Sequence, residues 1–148
     1  MGKPISDCVS VDVPASAVTI RFMAECIDKI YGKVANTHEK ALNLSIREPY
    51  GVVGLISPWN YPLLMGVWKL APALAAGNSI VLKPDEHSPH SLIKLAQLFV
   101  EAGGPPGVFN VVSGHGEEAG QALALHQDVS KIGFTGSTEV GKLLLQYA

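Results

Sequence analysis

Four short runs of aliphatic and β-branched residues, Val52–Ile56, Ser79–Lys83, Val108–Val112 and Lys131–Thr135, alternate with four longer segments of helical character. Those segments are Leu63–Ala76, Ser91–Ala102, Glu117–His126 and Gly136–Tyr147. Strands separated by a helix-length crossover pair in parallel, and strands that read as continuous apolar runs need both faces covered. The alternation therefore predicts an α/β fold: a doubly wound, Rossmann-like parallel sheet with helices on both faces. Leu63–Ala76 is apolar nearly all round and closes on Gly77-Asn78, with Pro72 expected to end or kink it. Ahead of this series, Val13–Lys33 places Ala17, Ile20, Met23, Ala24, Ile27 and Ile30 at helical spacing, with Gly32 as a stop. Ala41–Glu48 alternates like a half-buried strand and ends in the turn Pro49-Tyr50-Gly51.

In doubly wound sheets ligands bind outside the carboxyl ends of the strands. That directs attention to residues 57–62, 83–88, 113–117 and 135–141. The junction Gly133-Phe134-Thr135-Gly136-Ser137-Thr138-Glu139-Val140-Gly141 sets glycines and small hydroxyls between a strand and a helix start. Free backbone N–H groups there hold phosphate, and Gly136 allows close approach of a ligand to the backbone. A capped helix with Ser137 or Thr138 as N-cap explains this junction, taken alone, equally well. Gly136–Lys142 also satisfies the G-x-x-x-x-G-K part of a nucleoside triphosphate loop, which makes a non-catalytic nucleotide-binding module the alternative function. Leu143 stands where a magnesium-binding Ser or Thr belongs.

Lys83-Pro84-Asp85-Glu86 places a lysine and carboxylates where both can bond sugar hydroxyls, and Glu86 would repel a ribose 2′-phosphate, favouring NAD over NADP. As an isolated motif, a solvated charged loop is the commoner explanation. Gly114-His115-Gly116-Glu117-Glu118-Ala119-Gly120 misses the dinucleotide fingerprint because its third glycine falls one residue late, which leaves Gly116 in either a ligand-side or a structural turn. His87 and His90 make an incomplete metal site, and no metal is expected. Asn60, carried on a loop stiffened by Pro58 and Pro62, offers a side-chain amide to a developing oxyanion.

The charge balance, 11 Lys and Arg against 13 Asp and Glu, is scattered along the chain, so no nucleic-acid partner is expected. No apolar run reaches the roughly 18 residues of a membrane span. Two cysteines, Cys8 and Cys26, match no disulfide framework or zinc spacing, which fits a cytoplasmic protein. Met1-Gly2-Lys3-Pro4-Ile5-Ser6 fits a short myristoylation pattern.

Pro58-Trp59-Asn60-Tyr61-Pro62, Lys83-Pro84 with Glu86, and Phe134-Thr135-Gly136-Ser137 with Gly141, in this order and spacing, resemble the aldehyde dehydrogenase superfamily. The likeness extends through Trp68–Leu74, Ala76-Gly77-Asn78, Glu101-Ala102-Gly103 and Pro106-Gly107-Val108, and is weakest before Ile46. Gly2-Lys3-Pro4 and Asp12-Val13-Pro14 are similar to an internal stretch of those enzymes, which sets the myristoylation pattern aside.

The resemblance implies an NAD coenzyme, with NADP possible, and a small-molecule aldehyde as substrate. It implies that Asn60 lines the oxyanion hole and that Lys83 and Glu86 bind the adenosine ribose. Ser137 would contact the pyrophosphate, Gly116, Phe134, Gly136 and Val140 would shape the dinucleotide groove, and Ile56 and Trp59 would flank the coenzyme. Residues 1–50 would carry an N-terminal helix and a bridging strand used in homo-oligomerisation, and residues 51–148 the incomplete NAD-binding domain. The Ala41–Glu48 strand is expected to lack a partner here. The family's nucleophilic cysteine and general-base glutamate fall beyond the last residue, so the isolated chain is expected to be inactive; Cys8 and Cys26 match no catalytic motif of the family.

Overall fold

The structure, a computed structural model, describes residues 1–147. Strands β3 (Val52–Ile56), β4 (Ser79–Lys83), β5 (Phe109–Val111) and β6 (Lys131–Phe134) form one sheet in the order β5-β4-β3-β6, and every pairing is parallel. The chain steps outward from β3 through β4 to β5, then crosses back to lay β6 on the other side of β3. β3 and β6 therefore flank the point where the winding reverses.

Side chains of a strand alternate between faces, and here they divide between two helical layers. Leu55 of β3 points towards the helix α3 (Pro62–Ala75), whose Lys69 passes Gly133 of β6. Gly54 points the other way, where Leu123 of α5 (Gln121–Leu125) covers it. Helix α4 (His90–Glu101) lies beside α3: Leu92 of α4, fully buried, fills the space over Gly66 of α3. Val53, Leu55, Leu70, Ile80, Leu82, Leu92 and Phe109 make the core, and Phe99 packs edge-on against Phe109 with ring centroids 6.0 Å apart. The expected α/β sheet with helices on both faces is what forms.

The helix α3 runs three residues past Pro72 to Ala75, so Pro72 sits in its last turn rather than stopping it at once. The stop is Gly77, at φ +80°, whose N–H donates to the Leu74 carbonyl while that of Asn78 donates to Ala73. This double closure uses the left-handed conformation that a glycine adopts without strain. Asn78 then ties the helix end to the sheet: its Nδ2 donates to the Ala73 carbonyl and its Oδ1 accepts the Gly51 N–H.

The amino-terminal fifty residues depart further from expectation. Helical structure begins at α1 (Ile5–Asp7), continues through a π turn (Cys8–Asp12) into α2 (Val13–Cys26), and ends in a 3₁₀ turn (Ile27–Lys29). Lys33, expected as the last helical residue, instead opens strand β1 (Lys33–Ala35). β1 pairs antiparallel with β2 (Asn43–Ser45), so the strand expected to be unpaired has a partner supplied by the chain just after Gly32. Gly32 is needed there, because a Cβ would meet the Ser45 carbonyl oxygen at 2.6 Å. Only three residues of Ala41–Glu48 are strand, matching the length of β1.

Two further shifts bear on the site. The segment expected as a helix from Glu117 opens instead as a π turn, Gly116–Gly120, whose wide mouth lets the His115 carbonyl face the N–H groups of Glu118, Ala119 and Gly120. The last helix, α6 (Thr138–Tyr147), starts two residues later than expected, because Ser137 takes the N-cap.

Gly66→Ala improves helix propensity by about 1 kcal/mol, yet the added Cβ would lie 2.5 Å from a Leu92 methyl that is fully enclosed. A net loss of about 1–3 kcal/mol is expected from this overpacking, read as a lower urea midpoint; an unchanged midpoint would mean the two helices separate freely. Burial of the Lys69 side chain in the sheet interface pushes its ammonium down to about 8. Between about 8 and the unfolded value near 10.4 only the unfolded chain holds that proton, so stability rises with pH across this window. Lys69→Met should therefore stabilise the chain at pH 7 by about 1–2 kcal/mol, discounted for water reaching a half-buried group. Denaturation at pH 7 and pH 10 checks this, since the gain must shrink at the higher pH.

Candidate functional site

The register of the sheet brings three of the expected site residues into one row. Ile56, the last residue of β3, is paired on one side with Lys83, the last of β4, and on the other with Phe134, the last of β6. The backbone keeps the loops together for one more residue: Ser57 N–H donates to the Lys83 carbonyl and Thr135 N–H to the Ile56 carbonyl, both at 3.2 Å. Beyond that line the segments Ser57–Pro62, Lys83–Ser88 and Thr135–Ser137 leave the sheet side by side at the edge where the winding reverses, the edge at which doubly wound sheets bind ligands.

Lys83 is not part of a solvated loop. The residue is 3 % exposed, and its Nζ donates to Glu86 Oε2 at 2.9 Å. The Glu86 side chain is 32 % exposed, with its second oxygen 3.7 Å from Nδ1 of His115. The Lys83 ammonium, aided by the backbone N–H of Glu86, holds the Glu86 carboxyl below its ordinary range. The neighbouring Asp85 is occupied locally, accepting the His87 N–H at 2.9 Å and lying 2.8 Å from the His87 ring. His87 and His90 thus belong to the loop and the first residue of α4, and among the described residues no group of three or more His, Cys, Asp or Glu could hold a metal ion.

Helix α6 begins at the same edge. Ser137 Oγ accepts the Val140 N–H at 3.2 Å and the Ser137 carbonyl accepts that of Gly141, so the capped-helix reading of this junction holds. A cap of this kind uses the oxygen lone pair and leaves the Ser137 O–H free to donate. It also leaves the N–H groups of Thr138 and Glu139 in the first turn outside the helical ladder, at the positive end of the helix dipole. Gly136 has a packing reason of its own, because a Cβ would lie 2.5 Å from the Phe134 ring. Gly116 has none: nothing lies within 4 Å of the position its Cβ would take, so the turn is open there. The triphosphate-loop match fails on geometry. Gly141 and Lys142 lie inside α6, and a loop of only three residues separates β6 from the helix.

Asn60 sits on the exposed loop before α3, where its Oδ1 accepts the Tyr61 N–H at 3.1 Å. That contact fixes the amide so that its NH₂ is available to an acceptor outside the loop. Trp59 beside it is largely exposed, and Pro62 is the first residue of α3, its fixed φ suiting a helix start.

Three residues near these loops were not singled out individually from the sequence. Lys3 donates to both carboxylate oxygens of the buried Asp12, at 2.7 and 2.6 Å, and lies 3.6 Å from the centre of the Tyr61 ring, tying the amino-terminal segment to the loop of Asn60. His115 was a residue inside a near-miss glycine motif. Ser57 Oγ is buried at the end of β3 without a hydrogen-bond partner among the described residues. A lysine and an aspartate nine residues apart carry no sequence signal that they meet beneath a tyrosine.

Residues 1–148 match the family model described as aldehyde dehydrogenase family. The chain is 57% identical over 99% of its length to the NADP/NAD-dependent aldehyde dehydrogenase PuuC of Escherichia coli K12, covering 30% of that protein. It is 52% identical, with the same coverage, to an aminoacetaldehyde dehydrogenase of Pseudomonas aeruginosa. Among solved structures, the indole-3-acetaldehyde dehydrogenase AldA of P. syringae, in complex with NAD+ and IAA, superposes with a TM-score of 0.98 at 55% identity, over all of this chain and 30% of that one. The chain thus spans about a third of the length of the relatives it matches.

Removing Glu86 strands a charged Lys83 that solvent hardly reaches, whereas removing Lys83 leaves a carboxylate able to hydrate. Glu86→Ala is therefore expected to cost about 1–3 kcal/mol and Lys83→Met clearly less, by urea denaturation at pH 7. Because the folded carboxyl titrates below its unfolded value near 4.3, the pair's contribution is complete above about pH 5 and fades as pH falls through the folded value. Equal losses in the two variants at pH 7 would contradict the burial asymmetry.

Proposed function

Because this chain belongs to the aldehyde dehydrogenase family, we propose that it is the coenzyme-binding part of an NAD-dependent enzyme that oxidises a small-molecule aldehyde to a carboxylic acid. The observation that carries the reading is the row Lys83, Ile56, Phe134 at the reversal point of the sheet, with the Lys83–Glu86 pair at one end and the start of α6 at the other. The residues fit a dinucleotide. Lys83 and Glu86 offer a donor and an acceptor to the adenosine ribose, and the Ser137 hydroxyl with the first turn of α6 offers donors to the pyrophosphate. Gly116, Phe134, Gly136 and Val140 line the groove between these points in this reading, and the Ser57 hydroxyl at the end of β3 is buried without a hydrogen-bond partner among the described residues. Ile56 and Trp59 flank the coenzyme.

Bound NAD supplies the chemistry of hydride acceptance from the aldehyde carbon. The chain's own contribution to the reacting centre is Asn60, whose free amide N–H donors stabilise charge developing on the carbonyl oxygen. The cysteine nucleophile and glutamate base of the family are supplied from outside these residues in this reading, so the 148 residues bind coenzyme without turning over aldehyde. A relative described as using NADP and NAD supports tolerance of both coenzymes, and a relative acting on aminoacetaldehyde supports a small aldehyde.

Residues 1–50 form the amino-terminal helix and bridging element and residues 51–148 the NAD-binding domain. Exposed Val34 and Leu44, paired across β1 and β2, and exposed Leu143 and Leu145 on α6 favour a homo-oligomer, since clustered apolar surface marks an interaction site. No helix among the described residues is long and apolar enough to cross a membrane, and the two free cysteines, Cys8 and Cys26, favour a cytoplasmic location.

Calorimetric titration with NAD tests the reading. Saturable binding is expected, weakened about threefold to tenfold by Ser137→Ala, which removes a hydroxyl donor, and by Glu86→Gln, which removes the charge and turns one acceptor oxygen into an amide donor. Magnesium-dependent binding of ATP in preference to NAD would overturn it.

A further inference from the structure

His115 has no role in the reading above, yet it stands on the far side of Glu86 from Lys83. One Glu86 oxygen takes the short bond from Lys83; the other faces His115 Nδ1 at 3.7 Å, beyond hydrogen-bond length. The three groups differ in freedom. Lys83 is enclosed and cannot withdraw, whereas the side chains of Glu86 and His115 are 32 % and 75 % exposed. His115 lies between Gly114 and Gly116, in a turn with open space at Gly116. The other charges nearby are the Asp85–His87 pair, already satisfied within its loop, and Glu117 and Glu118, which follow His115 in the chain.

A ribose 2′-hydroxyl can be accepted by Glu86 where it stands. A 2′-phosphate brings about two negative charges to the same point, which repel that carboxylate and draw in whatever cations can reach. We propose that His115 is a coenzyme-specificity residue: when the ribose carries a 2′-phosphate, Glu86 rotates towards solvent and His115 joins Lys83 as a two-point site for the phosphate. The inference rests on the coenzyme reading and deepens it. Glu86 sets the preference for NAD, and His115 makes NADP acceptable. The His115–Glu86 approach is long and exposed, so it adds little to the placing of Glu86, and NAD affinity is nearly independent of His115.

Titrating the wild-type chain, His115→Ala and His115→Arg with NAD and with NADP separates the possibilities. The NADP dissociation constant should rise about fivefold to tenfold in His115→Ala, the size of one charge-assisted contact, and fall below wild type in His115→Arg. NAD affinity should stay within about twofold in all three. If the wild-type chain binds both coenzymes and their affinity ratio is the same in every variant, His115 has no such role; a wild-type chain that binds NAD but not NADP refutes it equally. A folded chain that binds neither coenzyme removes the coenzyme reading itself, and this inference with it.

Discussion

β3 is hydrogen-bonded along both edges, to β4 on one side and β6 on the other, and most of what the site requires follows from that double pairing. Parallel pairing fixes which residues stand level. Once Ile56 is level with Lys83 and with Phe134, three loops distant in sequence leave the sheet at the same height. A shift of one residue in either ladder would turn the side chains of a whole strand to the opposite face. Such a slip is blocked at the centre of β3: Gly54 lies under Ile132 and Leu123 without room for a single added carbon.

The end of β4 carries an ammonium group into the rim of the core. Burying a charge is unfavourable unless it is matched, and Glu86, three residues on, is what matches Lys83. The same pair that makes the strand end stable is the pair proposed to meet a ribose, so in that reading structural and binding requirements converge on two side chains. Lys69, half-buried against the sheet, donates to the Met65 carbonyl at 2.9 Å and has no carboxylate partner among the described residues, and burial lowers its ammonium pKa.

The loop of Asn60 is held from two directions. Pro62 starts α3 and anchors one end, while Tyr61 lies against Lys3, itself clamped by the buried Asp12. The amino-terminal segment therefore packs against α3 and also bears on the loop that carries the proposed oxyanion donor. β1 and β2 share no such role; both strands are exposed along their length and, among the described residues, pair only with each other.

The alternation of apolar strands and helices determined the parallel sheet, its two helical layers and the edge at which a ligand is proposed to bind, because strand and helix periodicity and crossover length are local properties. Gly77 as a helix stop and a cap at Ser137 or Thr138 were legible for the same reason, each working through backbone atoms a few residues away; the Val140 N–H selects Ser137. Strand β1 was not legible, since three exposed residues after a glycine become a strand only when Asn43–Ser45 arrives beside them. Nor were the burial of Lys83, the approach of His115 to Glu86, or the clamp of Lys3 on Asp12 and Tyr61. Each depends on side chains from separate segments meeting in space, and pairwise Coulomb and packing terms act over a few ångströms that no sequence spacing encodes. The sequence by itself determined which residues stand at the strand ends; only the tertiary structure decided which of them face one another, because the sheet register sets that distance.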